Sequence, residues 1–302
     1  MKFWKKSLIA FILLGLLIGA YLSINIRSLS VEQISQDIFI IRGVGGNTSV
    51  LRTSEGAVVV DSMTFKQQGT LIKAKAEELT GEQVVLLINT HYHLDHTHGN
   101  PGFDADLQIV STDRTLSHLQ VLDAASWQGE AAKRLPNDTF TDRKEFNFGD
   151  KTIRVIHPGV GHTDGDLIVH FVEDDTLILG DLFFNQHYPN IDLEAGGSVQ
   201  KWPATLDNVM QINATTIVPG HGETSDINGL KQFQTFMRQL GEIGRLSADQ
   251  KISLEDTIEQ ANLDTDTGYS EISFGGIPIG LDRHFVIRRA WEESNNEFEL
   301  KN

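Results

Sequence analysis

The segment Thr90-His91-Tyr92-His93-Leu94-Asp95-His96-Thr97-His98-Gly99 gathers imidazoles and a carboxylate at the spacing of metal ligands. His91 and His93 stand at i and i+2, so extended backbone points both the same way. Asp95 and His96 follow at the turn. An imidazole pair beside an Asp-His pair could serve two adjacent metal ions, because zinc takes histidine nitrogen and carboxylate oxygen in small ligand sets. A histidine-rich loop that holds no metal is the plain alternative, and so dense a pattern disfavours it.

Such ligands need a rigid base. Val84-Val85-Leu86-Leu87-Ile88 is a continuous apolar run, the pattern of a strand buried on both faces. Side chains directly after it lie at its carboxyl end, where layered α/β proteins collect catalytic loops. Upstream, residues 38–42 and 48–52 read as strands around a glycine turn at 43–46, and a further strand covers 57–60. Residues 66–79 read as a helix that stops near Thr80-Gly81. Residues 113–133 also read as helical, and His118 within them reads as a packing or surface histidine. In the second half, residues 151–156, 167–172 and 176–179 read as strands broken by Gly149-Asp150 and Asp174-Asp175, and Ile217-Val218 leads into Pro219-Gly220-His221. His157 and His170 read as structural. Beyond Glu223, residues 228–246, 253–262 and 283–293 read as helices, residues 274–280 as a glycine-rich linker, and residues 292–302 as a polar tail that frays.

Four motifs in order carry a family resemblance: His91-x-His93-x-Asp95-His96, Gly161-His162-Thr163-Asp164-Gly165-Asp166, Leu179-Gly180-Asp181-Leu182 and Pro219-Gly220-His221-Gly222. Over residues 31–223 the chain resembles the metallo-β-lactamase superfamily, and four ordered motifs are far more specific than one. The resemblance implies an α/β (α+β) fold: a four-layer αββα sandwich of two mixed sheets flanked by helices, with a C-terminal helical appendage. It implies that His91, His93 and His162 hold one metal, that Asp95, His96 and His221 hold a second, and that Asp181 bridges them. Two zinc ions are the expected cofactors, although the same donors suit iron or manganese. Asp61, ending the apolar run 57–60, matches the family's first motif and is expected to orient the ligand loop through hydrogen bonds. The activity implied is metal-assisted hydrolysis, with Asp95 and Asp181 in catalytic roles. Metal-bridging hydroxide would attack the carbonyl of an ester, thioester, lactone or lactam. Residues 185–192 follow Asp181 and form the expected substrate wall, with Asn185, His187 and Tyr188 as candidate substrate contacts.

Composition narrows the field. A net charge of −16 argues against a broad nucleic-acid face and leaves a small molecule as the expected partner. There is no cysteine, so the lactamase subclasses that place a thiolate on the second metal are excluded, and the ligand set is more like glyoxalase II and the lactonases. A β-lactamase, an iron-dependent redox enzyme of the same superfamily and a non-catalytic binding module are the competing readings. Lys2, Lys5 and Lys6 precede an apolar stretch at residues 8–20. Residues 1–27 are therefore expected to be a signal peptide or an N-terminal membrane anchor, and the rest of the chain to be periplasmic or otherwise outside the cytoplasm. The expected organisation is completed by a metallo-β-lactamase-like domain at 31–225 and a helical extension at 226–302.

Overall fold

Side-chain alternation with a period of two builds both sheets. In this computed structural model residues 24–274, 276–298 and 300 are described. The first sheet runs in chain order through β1 (Ser30–Gln33), β2 (Ile38–Arg42), β3 (Thr48–Thr53), β4 (Gly56–Val60), β5 (Val84–Ile88), β6 (Gln108–Thr112) and β7 (Asp138–Phe140). It is antiparallel as far as β4 and parallel from there to β7. Ile38, Ile40, Val58 and Val60 turn inward, while Phe39, Ile41, Ala57 and Val59 turn outward against Ile72 and Ala76 of α1 (Lys66–Thr80). Helix α1 stops at Gly81, whose φ of 75° is the left-handed cap that glycine adopts without a Cβ penalty.

Two short helices, α2 (Leu94–Thr97) and α3 (Asp113–Val121), follow β5 and β6. The second sheet has the order β12-β11-β10-β9-β8, made of β8 (Arg143–Phe148), β9 (Lys151–Ile156), β10 (Ile168–Phe171), β11 (Thr176–Ile178) and β12 (Thr216–Val218). Only β11 and β12 pair in parallel. Its inward residues, among them Ile153, Val155, Val169 and Phe171, close against the inner face of the first sheet. Its outward residues Ile168, Leu177 and Ile217 pack under α4 (Trp202–Met210), α5 (Ile227–Gln250) and α7 (Arg283–Asn295), and α6 (Leu254–Gln260) lies beside α7. Trp202, Phe233, Phe236 and Ile287 are fully or almost fully buried there, and each such side chain stabilises the fold by roughly 1.5–3 kcal/mol or more. The C-terminal helices thus share one core with the second sheet, and helix, two sheets and helices stack as the expected four layers.

Three expectations need correction. Residues 113–133 are not one helix: α3 ends at Val121, and Asp123 then folds back to accept from Ser126 Oγ at 2.7 Å and Trp127 Nε1 at 2.8 Å. Residues 274–280 are not a linker, because β13 (Ser273–Phe274) and β14 (Ile277–Pro278) pair as a hairpin. Glu292 to Asn295 do not fray but complete α7, where Glu293 accepts from Ser198 Oγ and from the Gln200 amide. Most of the expected export or anchor segment, residues 1–23, lies outside the described residues. Among those described, no helix is long and apolar enough to cross a membrane.

Candidate metal centre

The chemistry-bearing loops leave the carboxyl ends of neighbouring strands. Asp61 follows β4, His91 follows β5, Asp181 follows β11 and His221 follows β12. The loop carrying His162 leaves β9 and is locked by buried Asp166, which accepts from the Thr163 amide at 2.9 Å and from its hydroxyl at 2.5 Å. The two halves are stitched together by Asn47, whose side chain donates to the carbonyls of Pro219 and Gly222 at 3.0 and 2.9 Å.

The seven residues expected from the resemblance converge as two groups that could each hold a metal ion: His91, His93, His162 and Asp181, and beside them Asp95, His96 and His221. Asp181 faces both. Its Oδ2 lies 3.7 Å from His91 Nε2 and 3.6 Å from His162 Nε2, while its Oδ1 lies 3.1 Å from His96 Nε2 and 3.5 Å from His221 Nε2. Asp95 Oδ2 completes the second group at 3.2 Å from His221 Nε2.

Hydrogen bonds at the far nitrogen orient four of these rings. His96 Nδ1 lies 2.8 Å from Asp61 Oδ2. The Thr90 hydroxyl donates to Asp61 at 2.7 Å, so it accepts from His91 Nδ1 at 3.1 Å. His93 Nε2 donates to Asp192 Oδ2 at 2.9 Å, and His162 Nδ1 donates to the Asn190 carbonyl at 2.8 Å. Each ring is left with a lone pair aimed at the centre. His93 Nδ1 and His162 Nε2 lie 2.7 Å apart, close enough to share a proton or to face one cation together. His91 Nε2, His96 Nε2 and Asp181 Oδ1 are buried with no hydrogen-bond partner, a costly state for polar atoms. This donor set therefore fits divalent metal ions.

The imidazoles differ in charge even within the first group, where burial opposes charge on His93 but its hydrogen bond to Asp192 raises it. Burial, reinforced by positive neighbours, holds His91 well below the usual imidazole range, and burial with the adjacent His93 brings His162 down to about 4. Burial opposes charge on His221 as well, but the carboxylates of Asp181 and Asp95 push it up to about 9. Glycine makes room: a Cβ on Gly220 would lie 2.0 Å from Asp181 Oδ1, and one on Gly46 would lie 2.2 Å from the His96 ring.

A cavity of about 550 Å³ opens onto the cluster, where His93, Asp95, Asp181 and His221 form its floor. His187 lines it, as expected of the loop after Asp181. Asn185 and Tyr188 do not: Asn185 donates to the Glu223 carbonyl at 2.9 Å, and the Tyr188 hydroxyl donates to Asp266 at 2.8 Å. The reason is the β13–β14 segment, which the sequence reading missed. Ser270 bridges residues 186–188, accepting from the Tyr188 amide at 3.1 Å and donating to the Gln186 carbonyl at 3.0 Å, and this draws Tyr188 away from the cavity. Asn190 and Asp192, also missed as individual residues, hold imidazoles from within the expected substrate wall. His118, His157 and His170 stay outside the cluster; His118 is bound to Asp164 at 2.7 Å.

A sandwich of two mixed sheets with a histidine-aspartate centre at one edge is the architecture of metal-dependent hydrolases. The family model for the metallo-β-lactamase superfamily matches residues 41–221, and the chain belongs to that superfamily. A type 2 metallo-β-lactamase of Bacillus cereus is 24% identical over 213 residues, which cover 66% of this chain and 78% of the relative. A linear primary-alkylsulfatase of a Pseudomonas species is 20% identical over 231 residues, covering 63% of this chain and 43% of that protein. Among solved structures, a metallo-β-lactamase from Pontibacter korlensis superposes with a TM-score of 0.60 at 23% identity, covering 70% of this chain and 99% of its own.

Proposed function

We propose that this superfamily hydrolase binds two divalent metal ions, zinc in the first instance, and cleaves a carbonyl compound of the ester, thioester, lactone or lactam class. The observation that carries the reading is the placement of Asp181 between two donor groups, with His91 Nε2, His96 Nε2 and Asp181 Oδ1 buried and without a hydrogen-bond partner. His91, His93 and His162 would hold one ion, Asp95, His96 and His221 the other, and Asp181 both. When bound, such ions supply Lewis acidity that lowers the pKa of water and polarises a carbonyl.

The residues supply the rest. Asp95 lines the cavity, where it can orient the attacking water and carry its proton to the departing oxygen, nitrogen or sulfur. A bond forms from water oxygen to the carbonyl carbon, and the acyl–heteroatom bond breaks. His187, which burial keeps below the usual imidazole range, lines the cavity and offers a hydrogen bond from the wall.

A β-lactamase is the second reading, favoured by the names of the Bacillus cereus and Pontibacter korlensis proteins. An export signal or anchor at residues 1–27 would place either activity outside the cytoplasm. Metal analysis of the purified chain, coupled to turnover of nitrocefin, a carbapenem, lactones, thioesters and aryl esters, tests both. Bound zinc with turnover supports the hydrolase and names its class; bound iron with oxygen uptake and no hydrolysis overturns it in favour of redox chemistry.

A further inference from the structure

Beyond the metal-facing floor, the cavity wall is apolar. Phe184 and Leu94 line it from the core domain, and Ile272, Ile279 and Leu281 line it from the β13–β14 segment. Leu94 and Ile279 are each about half exposed, at 49% and 52%, and Ile277 at the hairpin is 66% exposed. Apolar side chains left open around a catalytic cavity mark the surface that a ligand covers.

Charge is as informative as hydrophobicity. Among the described residues, no lysine or arginine lines the cavity, and the only charged side chain on the outer wall is the exposed carboxylate of Glu271. Arg42, next to the lining residue Gly43, is bound to Glu32 at 2.7 Å and to Glu223 at 3.4 Å. Arg283, two residues past Leu281, is paired with Asp266. Neither cation is free to neutralise an anionic group on a ligand. A carboxylate placed against this wall would lose hydration and meet Glu271 without a compensating partner.

The wall is also held in place. Ser270 is laddered to residues 186–188, and the Ile279 amide donates to the Ile272 carbonyl at 3.2 Å, which fixes the hairpin's base beside the cavity.

We infer that the substrate is a neutral carbonyl compound with an apolar acyl tail, its reactive carbonyl over Asp181 and its tail against Leu94, Ile272 and Ile279, and that substrates bearing a carboxylate on the tail are rejected. This names the substrate class within the hydrolase reading and rests on it for the cleavage step alone. Each methylene buried on the wall is worth about a fourfold rise in kcat/KM, until the tail reaches the hairpin.

The test compares p-nitrophenyl esters from acetate to octanoate with the p-nitrophenyl half-ester of octanedioic acid. A rise of about fourfold per methylene, and a loss of at least about tenfold for the half-ester relative to the octanoate, support the inference. A flat series, or a half-ester that turns over as well as the octanoate, overturns it. In Ile279→Asp with unchanged metal content, the dependence on chain length should flatten; an unchanged slope would take the tail off the hairpin and overturn the assignment. Methyl ketones of increasing length carry the carbonyl and the tail with no bond to hydrolyse, so calorimetric titration with them reads the wall without catalysis. Length-dependent binding without turnover of any ester, thioester, lactone or lactam would sink the hydrolase reading and leave the apolar site standing, whereas turnover without length-dependent binding would do the reverse.

Discussion

Asp61 Oδ2 lies 2.8 Å from His96 Nδ1, and both side chains are almost wholly buried. The same carboxylate accepts from the Thr90 amide at 2.8 Å, so one residue fixes a ring of the second donor group and the start of the loop that carries the first. Asp61 holds this position with a φ of 63°, a backbone conformation that non-glycine residues rarely occupy. Replacing it with Asn keeps the shape but removes the charge facing His96. Metal affinity of the Asp95, His96 and His221 group should fall by roughly 10–100-fold, as for other residues that orient a metal ligand. Competition with a chromogenic chelator measures this, and unchanged affinity would contradict the orienting role.

Gly220 provides a steric test. A methyl group there would lie 2.0 Å from Asp181 Oδ1 and 2.6 Å from the Gly180 carbonyl carbon, so Asp181 or the His221 loop must move. A displacement of about 1 Å at a reacting centre can cost about 100-fold in rate. Gly220→Ala should therefore lose about that much turnover and bind less metal, as judged by kinetics and elemental analysis. An active variant with full metal content would show that the loops tolerate rearrangement.

The metal pattern was legible in the sequence where it was local. His91, His93, Asp95 and His96 fall within six residues after an apolar strand, so spacing and strand geometry sufficed to nominate them. His162, Asp181 and His221 are scattered, and only the resemblance linked them. The helpers were illegible: Asp192 is 99 residues from His93, and Asn47 is 172 residues from Pro219. No local pattern encodes such bonds. The hairpin was misread because Gly275-Gly276 and Pro278 signal a turn in any context, and its role comes from Ser270 pairing with a loop more than 80 residues away. The helix over residues 113–133 was overextended for a similar reason. Asp123 is claimed by His98 at 2.6 Å and by Trp127 at 2.8 Å, contacts that outweigh helix propensity.

Removing metal should weaken the fold as well as the chemistry. Without cations, the buried inward atoms of His91, His96 and Asp181 have no hydrogen-bond partner. An ion present at a thousand times its dissociation constant stabilises the folded state by about 4 kcal/mol. A chelator should therefore lower the melting temperature in scanning calorimetry, and added zinc should restore it. Identical melting with and without chelator would contradict a metal-bound native state.

A distant ion pair gives the expected pH dependence of stability. Lys151 Nζ reaches Asp37 at 3.0 Å and Asp174 at 2.9 Å. Burial opposes its charge, but hydrogen bonds to Asp174 and Asp37 prevail and raise it above the ordinary lysine value of 10.5. Its contribution is therefore complete below about pH 10.5 and is lost as pH rises through the higher value of the folded state. Lys151→Met should be less stable than the parent by on the order of 1 kcal/mol at pH 7, a figure already reduced for solvent screening. Urea titrations should show the difference shrinking above about pH 10.5. A gap that persists or widens there would assign Lys151 a packing role instead.

The central claim is that Asp181 stands between two metal ions, and elemental analysis of the purified chain beside Asp181→Ala tests it most directly. About two divalent ions per chain in the parent, with both metal and hydrolysis lost in the variant, is the expected result. A parent chain that binds no metal even after incubation with zinc, or a variant that keeps its metal and its turnover, would contradict the account.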